Sequence, residues 1–182
     1  MIITIAGTPG SGKTSVAKEL AKRLGYKLLS AGDRMAEIAE ENHTTLDELL
    51  SRGDDVDRLV DAHQKKIGET EDNIIVEGKI AWFLIPKSFK ILVTCADDEG
   101  ARRIYNDQKS GHRPDEPNYR SIEDAKKIIA ERVARFTDKF NRLYGVKNYI
   151  DPKNFDFVLD TTNSTGPNEN ADKIMEKLKN FQ

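Results

Sequence analysis

One stretch of this chain restricts its fold more than any other: residues 7–14 read Gly-Thr-Pro-Gly-Ser-Gly-Lys-Thr, which matches G-x-x-x-x-G-K-[ST]. An apolar run from Ile2 to Ala6 precedes this loop, and a helical pattern from Lys13 to Leu24, ended by Gly25, follows it. Between a strand and a helix, such a loop directs successive backbone N–H groups toward one point, and the first helical turn adds its own free donors. The sequence therefore predicts a loop that binds the phosphates of a nucleoside triphosphate.

The chemistry of the loop assigns a role to several of its side chains. Lys13 is expected to reach the β- and γ-phosphates as a point charge, and the Thr14 hydroxyl is expected to ligate the Mg²⁺ ion that bridges them. Glu77 follows an apolar run and is expected to hold the same ion through water, although a solvent-facing carboxylate at a strand end is the alternative. The predicted ATP-binding residues of the loop are Gly7, Thr8, Pro9, Gly10, Ser11, Gly12, Lys13, Thr14 and Ser15.

Composition excludes several classes of protein. The chain has 182 residues, and its 29 Lys and Arg against 31 Asp and Glu leave a formal net charge of -2, so no overall field favours a nucleic-acid polymer or an anionic membrane. The lone Cys95 forms no internal disulfide, and the longest apolar run, Ile80 to Ile85, is far shorter than the about 20 residues of a membrane span. We expect one domain over residues 1–182, acting as a monomer in the cytoplasm.

Short apolar runs alternate with longer helical patterns along the chain, which predicts an α/β fold: a doubly wound, parallel, five-stranded sheet. The predicted strands are Ile2 to Ala6, Tyr26 to Leu29, Asn73 to Glu77, Lys90 to Thr94 and Asp156 to Asp160. Besides the helix after the loop, the predicted helices are Asp33 to Glu41, Leu46 to Ser51 after a Thr45 cap, Asp54 to Ile67, Glu99 to Gln108, Ser121 to Tyr144 and Asn168 to Asn180.

Residues 110–120 are rich in turn formers and lie between two long helical patterns, so they predict a mobile loop that connects the two helices. Ser121 is the expected N-cap of the second helix, with Asp124 in the acidic position of a capping box. Arg113 is the best candidate for a cation that swings onto the transferred group as the loop closes. The long helix adds Arg132 and Arg135 to the predicted catalytic cations, beside an apolar stripe; a solvated basic edge is the alternative.

GTPases, motors and small kinases share this type of loop, so other features must distinguish them. An Asp-x-x-Gly stands at Asp97 to Gly100, but it begins a helix, and no Asn-Lys-x-Asp occurs anywhere. The chain is too short for a motor with its adaptor domains, so a compact kinase fits best. If the acceptor is a nucleoside monophosphate, it is already largely deprotonated near neutral pH, and cations and positioning suffice without a general base.

The chain resembles the cytidylate kinase-like nucleoside monophosphate kinases, particularly their short archaeal-type branch. The resemblance extends over nearly the whole chain. It is carried by residues 5–14, Gly25-Tyr26, Ser30-Ala31-Gly32-Asp33, Glu77 to Trp82, Ala101 to Ile104, Arg113 to Ala125, Leu143-Tyr144-Gly145-Val146 and Asp160-Thr161-Thr162. It implies a P-loop kinase fold with ATP and Mg²⁺, a helical acceptor-binding segment over residues 30–70, a mobile lid over residues 108–135, and CMP or dCMP as the acceptor.

The same resemblance implies positions for both nucleotides. Arg103 would lie on or near the ATP base, and Asn163 would line the adenine site. The implied acceptor-binding residues are Ser30, Gly32, Asp33, Arg34, Gly78, Lys79 and Trp82, although Trp82 is at least as easily a core residue.

Two departures from the family pattern keep alternatives open. Relatives usually place an arginine a few residues after Gly-Asp, whereas Arg34 comes one or two positions earlier. Lys79 stands where many relatives have arginine, and lysine lacks the bidentate fork that suits phosphate. The alternatives are a P-loop kinase for another nucleotide or a small metabolite, and an ATP-binding module without turnover.

Overall fold

The computed structural model describes residues 1–41, 43, 44, 48, 54–113 and 116–180, without the side chains of residues 31–34, 36 and 54–57. The strands are β1 (Ile2–Gly7), β2 (Lys27–Ser30), β3 (Ile74–Glu77), β4 (Phe89–Thr94) and β5 (Phe157–Asp160). The helices are α1 (Lys13–Leu24), α2 (Ala31–Glu41), α3 (Asp54–Thr70), α4 (Ala81–Leu84), α5 (Asp97–Lys109), α6 (Ile122–Tyr144) and α7 (Pro167–Lys179), with a 3₁₀ turn at Pro152–Asn154.

The five strands form one parallel sheet in the order β2-β3-β1-β4-β5. Helices cover both faces, which is why the strands are nearly continuous apolar runs without a polar alternation. One core lies between the sheet and helices α1 and α7, around Leu20 and Ile174. The second core lies on the other face and includes Trp82 from α4 and Phe140 from α6. The predicted doubly wound, five-stranded parallel fold is confirmed.

Because all strands run the same way, their carboxyl ends meet along one edge of the sheet. At this edge β1 leads into the glycine-rich loop, β3 ends at Glu77, and β2 ends at Ser30, which is the register partner of Glu77. Residues that are far apart in the chain are thereby brought together. This edge is where the structure places the candidate site.

The predicted elements that fall within the described residues agree with the observed ones except at some boundaries. Helix α1 has the predicted bounds, and Gly25 ends it in a left-handed conformation. Strand β3 begins one residue after the predicted Asn73, because Asn73 has a φ of 53° and cannot continue an extended strand. The short helix α4 and the 3₁₀ turn were not predicted, since neither has a full amphipathic period. The predicted helix from Leu46 to Ser51, with its Thr45 cap, lies outside the described residues.

The predicted cap of α6 is confirmed, with one difference. The Ser121 hydroxyl accepts a hydrogen bond from the Asp124 backbone N–H at 3.1 Å, a contact that typically contributes about 1 kcal/mol. The Asp124 carboxylate accepts instead from the Arg120 backbone N–H at 3.0 Å, one residue earlier than in a regular capping box. This arrangement fixes the start of α6 directly after the 110–120 loop.

No helix among the described residues is long and apolar enough to cross a membrane.

Candidate active site

The glycine-rich loop is anchored to its neighbours through the backbone. The Thr8 N–H donates to the Val93 carbonyl at 3.0 Å, and the Ser11 hydroxyl donates to the Thr8 carbonyl at 2.8 Å. These bonds curl the loop back upon itself ahead of Lys13, where α1 begins. The free N–H groups of the first helical turn then lie beside the loop, as binding of phosphate requires.

Two glycines meet where α5 crosses this loop. Gly10 has a φ of +75°, and a Cβ placed on it would lie 2.3 Å from the Gly100 carbonyl oxygen. A Cβ on Gly100 would in turn lie 2.6 Å from the Pro9 carbonyl oxygen. Neither position has room for a side chain, so the shape of the loop depends on α5 as well as on its own sequence.

Glu77 faces the loop from the end of β3. Its Oε1 accepts a hydrogen bond from the Thr14 hydroxyl at 3.1 Å and lies 3.4 Å from the Lys13 ammonium. A hydroxyl and a carboxylate in contact are hard oxygen donors, which fit Mg²⁺ when phosphates and waters complete its shell. The described residues contain no cluster of three or more His, Cys, Asp or Glu side chains, so a cage made of protein ligands alone is not found there.

A cavity of about 330 Å³ opens directly above the loop. Four cationic residues line it: Lys13 from α1, Lys79 from the turn after β3, Arg113 from the 110–120 loop and Arg132 from α6. Four elements that are distant in the sequence thus direct positive charge toward one space. The remaining lining residues are Gly7, Thr8, Pro9, Gly10, Gly12, Thr14, Ser15, Ile104, Glu116, Val133, Phe136 and Tyr149.

Glu116 holds two of these cations in place. Its carboxylate accepts from Arg132 Nη1 at 2.9 Å and lies 3.7 Å from Arg113 Nη1. Burial acts to raise the pKa of Glu116, but the hydrogen bonds from Tyr119 and Arg132 outweigh it, so its pKa lies below the usual range. Burial and the same contact with Glu116 raise the pKa of Tyr119 to about 12. The Glu116 carboxylate thus lies between the two arginines at the cavity wall.

The predicted acceptor-binding residues are only partly described. Ser30 and Gly78 lie at the ends of β2 and β3, and the Lys79 ammonium lies 4.2 Å from the centre of the Phe136 ring. Gly32, Asp33 and Arg34 belong to α2, but the side chains of the latter two are outside the described part.

Two predicted site residues lie elsewhere. Trp82 is buried, donates its indole N–H to the Tyr149 carbonyl at 3.1 Å and packs on Phe155, which are the contacts of a core residue. Arg135 is exposed on α6 and, unlike Arg132, does not line the cavity.

A second pocket, of about 230 Å³, lies behind the loop against α7. Arg103 lines it and donates to the carbonyls of Gly10 at 3.3 Å and Thr161 at 2.7 Å, which ties the loop to the segment after β5. Asn170 also lines it and is only 4% exposed, yet its Oδ1 has no hydrogen-bond partner. Asn163 is exposed nearby. A planar cation and an unpaired amide in one pocket suit a nucleotide base.

Sequence reasoning missed Glu116, Gly100 and Asn170 as parts of this region. Glu116 stands in a loop where only the cation was singled out, and Gly100 was considered only as part of Asp-x-x-Gly. Asn170 had a usable signal, because a polar residue falls on the otherwise apolar face of α7 with Ala171, Ile174 and Leu178.

The sheet order, the loop and the cation-lined cleft define a P-loop kinase. Solved structures agree on the fold: the shikimate kinase from Acinetobacter baumannii, in complex with shikimate, superposes with a TM-score of 0.66 at 16% identity, covering 100% of this chain and 94% of that one. The shikimate kinase from Bacteroides thetaiotaomicron gives a TM-score of 0.65 at 14% identity, covering 98% of each chain.

Sequence comparison identifies the family. Residues 2–163 match the cytidylate kinase-like family. The chain is 31% identical to the cytidylate kinase of Methanocella arvoryzae, over 98% of this chain and 99% of that protein. It is 35% identical to the cytidylate kinase of Sulfurisphaera tokodaii, over 100% of this chain and 96% of that protein. The chain belongs to the cytidylate kinase-like family, and it is a kinase.

Proposed function

We propose that this kinase transfers the γ-phosphoryl group of ATP to CMP or dCMP, giving ADP and the nucleoside diphosphate. One observation carries the proposal: Lys13, Lys79, Arg113 and Arg132 come from four separate elements and line one cavity above the phosphate-binding loop. Two phosphate groups meet in such a reaction, and each needs compensating positive charge. A module that only binds ATP has no need for the cations on the far wall.

The chemistry of the acceptor explains why the proposed reaction needs no general base. A nucleoside monophosphate has a second pKa near ~6 and therefore presents a dianionic nucleophile at neutral pH. The work left to the protein is to bring two anions together and to stabilise the charge that develops on the transferred group. Lys13 and the loop hold the donor phosphates, while Arg113 and Arg132 exchange Glu116 for phosphate oxygens.

Thr14 and Glu77 are the residues that would hold Mg²⁺. When bound, the ion neutralises charge on the β- and γ-phosphates. In the contacts described above, Glu77 keeps the Thr14 hydroxyl and the Lys13 ammonium oriented toward the cleft. The pocket around Arg103 and Asn170 is the proposed site of the ATP base.

An acceptor panel tests the proposal. ADP release is followed with ATP, Mg²⁺ and each of CMP, dCMP, UMP, AMP, GMP and shikimate in turn, with ATP alone as the blank. We expect turnover with CMP or dCMP to exceed turnover with every other acceptor. A different preferred acceptor would retain the kinase and reject the assignment to CMP, whereas no turnover in any reaction would reject phosphoryl transfer to this group of substrates.

A further inference from the structure

Gln64 on α3 is a buried polar residue that the fold itself does not explain. Its side chain is 3% exposed, and its Oε1 has no hydrogen-bond partner. An unsatisfied buried amide usually costs on the order of 1–3 kcal/mol, so a residue of this kind calls for a reason. Leucine has a similar volume and would fill the same space without that cost.

The position of Gln64 supplies the reason. A Cβ placed on Gly78 would lie 3.3 Å from Gln64 Nε2 and 3.4 Å from Gln64 Oε1, so the flat amide lies against the backbone of Gly78. Gly78 is flanked by Glu77, which contacts Thr14, and by Lys79, which lines the cleft. The Gln64 amide, with its unpaired Oε1, therefore lies directly behind the turn that brings Lys79 to the cleft.

A second polar group stands beside it. Asp61 precedes Gln64 by one turn on α3, a spacing that makes the two side chains neighbours. The Asp61 carboxylate is buried and accepts a hydrogen bond from the Tyr144 hydroxyl at the end of α6. A carboxylate offers only acceptors, so it favours a ligand that brings an amino group and disfavours one that brings a carbonyl oxygen.

We propose that Gln64 is a specificity-determining residue whose amide pairs with the base of the acceptor nucleotide. An amide carries one donor and one acceptor side by side, which match the ring N3 and the exocyclic amino group of cytosine. Uracil offers a carbonyl where cytosine has the amino group, and the Asp61 carboxylate opposes it. The inference deepens the proposed function and rests on it, since it takes the acceptor to be a nucleoside monophosphate.

The test compares the wild type with Gln64→Leu. Measured quantities are kcat and KM for CMP and for UMP at saturating ATP, the affinity for CMP by calorimetry without ATP, and the unfolding temperature of the ligand-free protein. We expect Gln64→Leu to weaken CMP binding about tenfold or more and to reduce the preference for CMP over UMP by a similar factor. The KM for ATP stays unchanged, and the unfolding temperature does not fall, because a buried unpaired amide has been removed.

Gln108→Leu is the matched control. Gln108 on α5 also has a buried Oε1 without a partner, and its replacement is expected to leave the preference for CMP over UMP unchanged. An unchanged preference in Gln64→Leu, or an equal loss with both acceptors together with a lower unfolding temperature, would overturn the inference and make Gln64 a core residue.

The two proposals fail separately. Absence of turnover in the wild type rejects the proposed phosphoryl transfer to CMP, while calorimetry still compares CMP binding in the two proteins. If the wild type phosphorylates CMP and Gln64→Leu has the same preference for CMP over UMP, only the role of Gln64 is rejected. A wild type that does not bind CMP at all rejects both proposals.

Discussion

At the scale of single residues, several of the cations around the site have a carboxylate partner. Glu99 accepts hydrogen bonds from Arg102 Nε at 2.8 Å and from Arg103 Nε at 2.7 Å, and these contacts lower its pKa to about 2 against the opposing effect of burial. Arg103 is the side chain that ties the phosphate-binding loop to the segment after β5. Protonation of Glu99 therefore affects the site as well as stability.

This shift predicts how stability depends on pH. The pKa of Glu99 is lower in the folded state than its ordinary value of 4.5, so its contribution to stability is complete above about pH 4.5 and is lost as the pH falls toward about 2. We expect the unfolding free energy to drop less between pH 5 and pH 3 in Glu99→Gln than in the wild type, as measured by urea denaturation. Glu176→Gln, which changes an exposed glutamate on α7, is the control. Equal drops in Glu99→Gln and the wild type would contradict the prediction.

We propose that Arg113 acts on the transferred group. Its guanidinium lies 3.1 Å from Asp107 and 3.7 Å from Glu116, and it lines the cavity above the loop. We expect Arg113→Ala to lower kcat about 100-fold or more while the KM for ATP changes little, because the cation acts on charge that develops in the transition state. Steady-state kinetics at saturating CMP measure both quantities. Arg113→Lys keeps the positive charge but lacks the bidentate guanidinium, so its kcat should lie between those of the wild type and Arg113→Ala. If Arg113→Ala raised only the KM for ATP and left kcat unchanged, Arg113 would contribute to ATP binding and not to the transition state.

At the scale of elements, the packing of α5 on the phosphate-binding loop determines the shape of the loop. Replacing a helical glycine by alanine usually stabilises a helix by roughly 0.5–1 kcal/mol. At Gly100 the new methyl group would clash with the Pro9 carbonyl oxygen at 2.6 Å and would lie 3.1 Å from Cys95 Sγ. Gly100→Ala is thus expected to lower the stability of the protein, whereas the same substitution elsewhere in a helix usually raises it.

We predict that Gly100→Ala destabilises the protein by about 1–3 kcal/mol and weakens ATP binding, because the loop must shift to admit the methyl group. Thermal unfolding and calorimetric titration with ATP measure the two effects. Gly111→Ala is a poor match because Gly111 has a φ of +79°, so Ala101→Gly on the same helix serves as the control for helix propensity. A stabilised Gly100→Ala variant that binds ATP normally would show that α5 does not constrain the loop.

At the scale of the whole molecule, the sequence predicted those features that depend on local pattern. Apolar runs identified the strands, and the glycine-rich loop located one wall of the cleft. The family resemblance implied an acceptor position for Trp82, with a core position as the alternative, and in the structure α4 packs Trp82 in the core. The role proposed for Gln64 could not be predicted from the sequence, because it depends on the contact between Gln64 on α3 and Gly78 after β3. Contacts of this kind follow from the order of the strands and are absent from any local pattern.

The same order of strands explains why the cleft is assembled from distant segments. Strand β1 lies at the centre of a parallel sheet, between β3 and β4, so the loop that follows it meets residues from both neighbours. The site therefore exists only in the complete fold, and its central property is a concentration of positive charge above the phosphate-binding loop.

The most direct test of this account follows the phosphoryl group itself. ATP labelled in its γ-phosphate is mixed with the protein, Mg²⁺ and CMP, and the products are separated. We predict that the label appears in CDP, that Lys13→Ala abolishes most of this transfer, and that Lys18→Ala, which removes an exposed lysine from the same helix, does not. Label that remains in ATP or appears only as inorganic phosphate would contradict the account, because it would show that the cleft does not bring two nucleotides together.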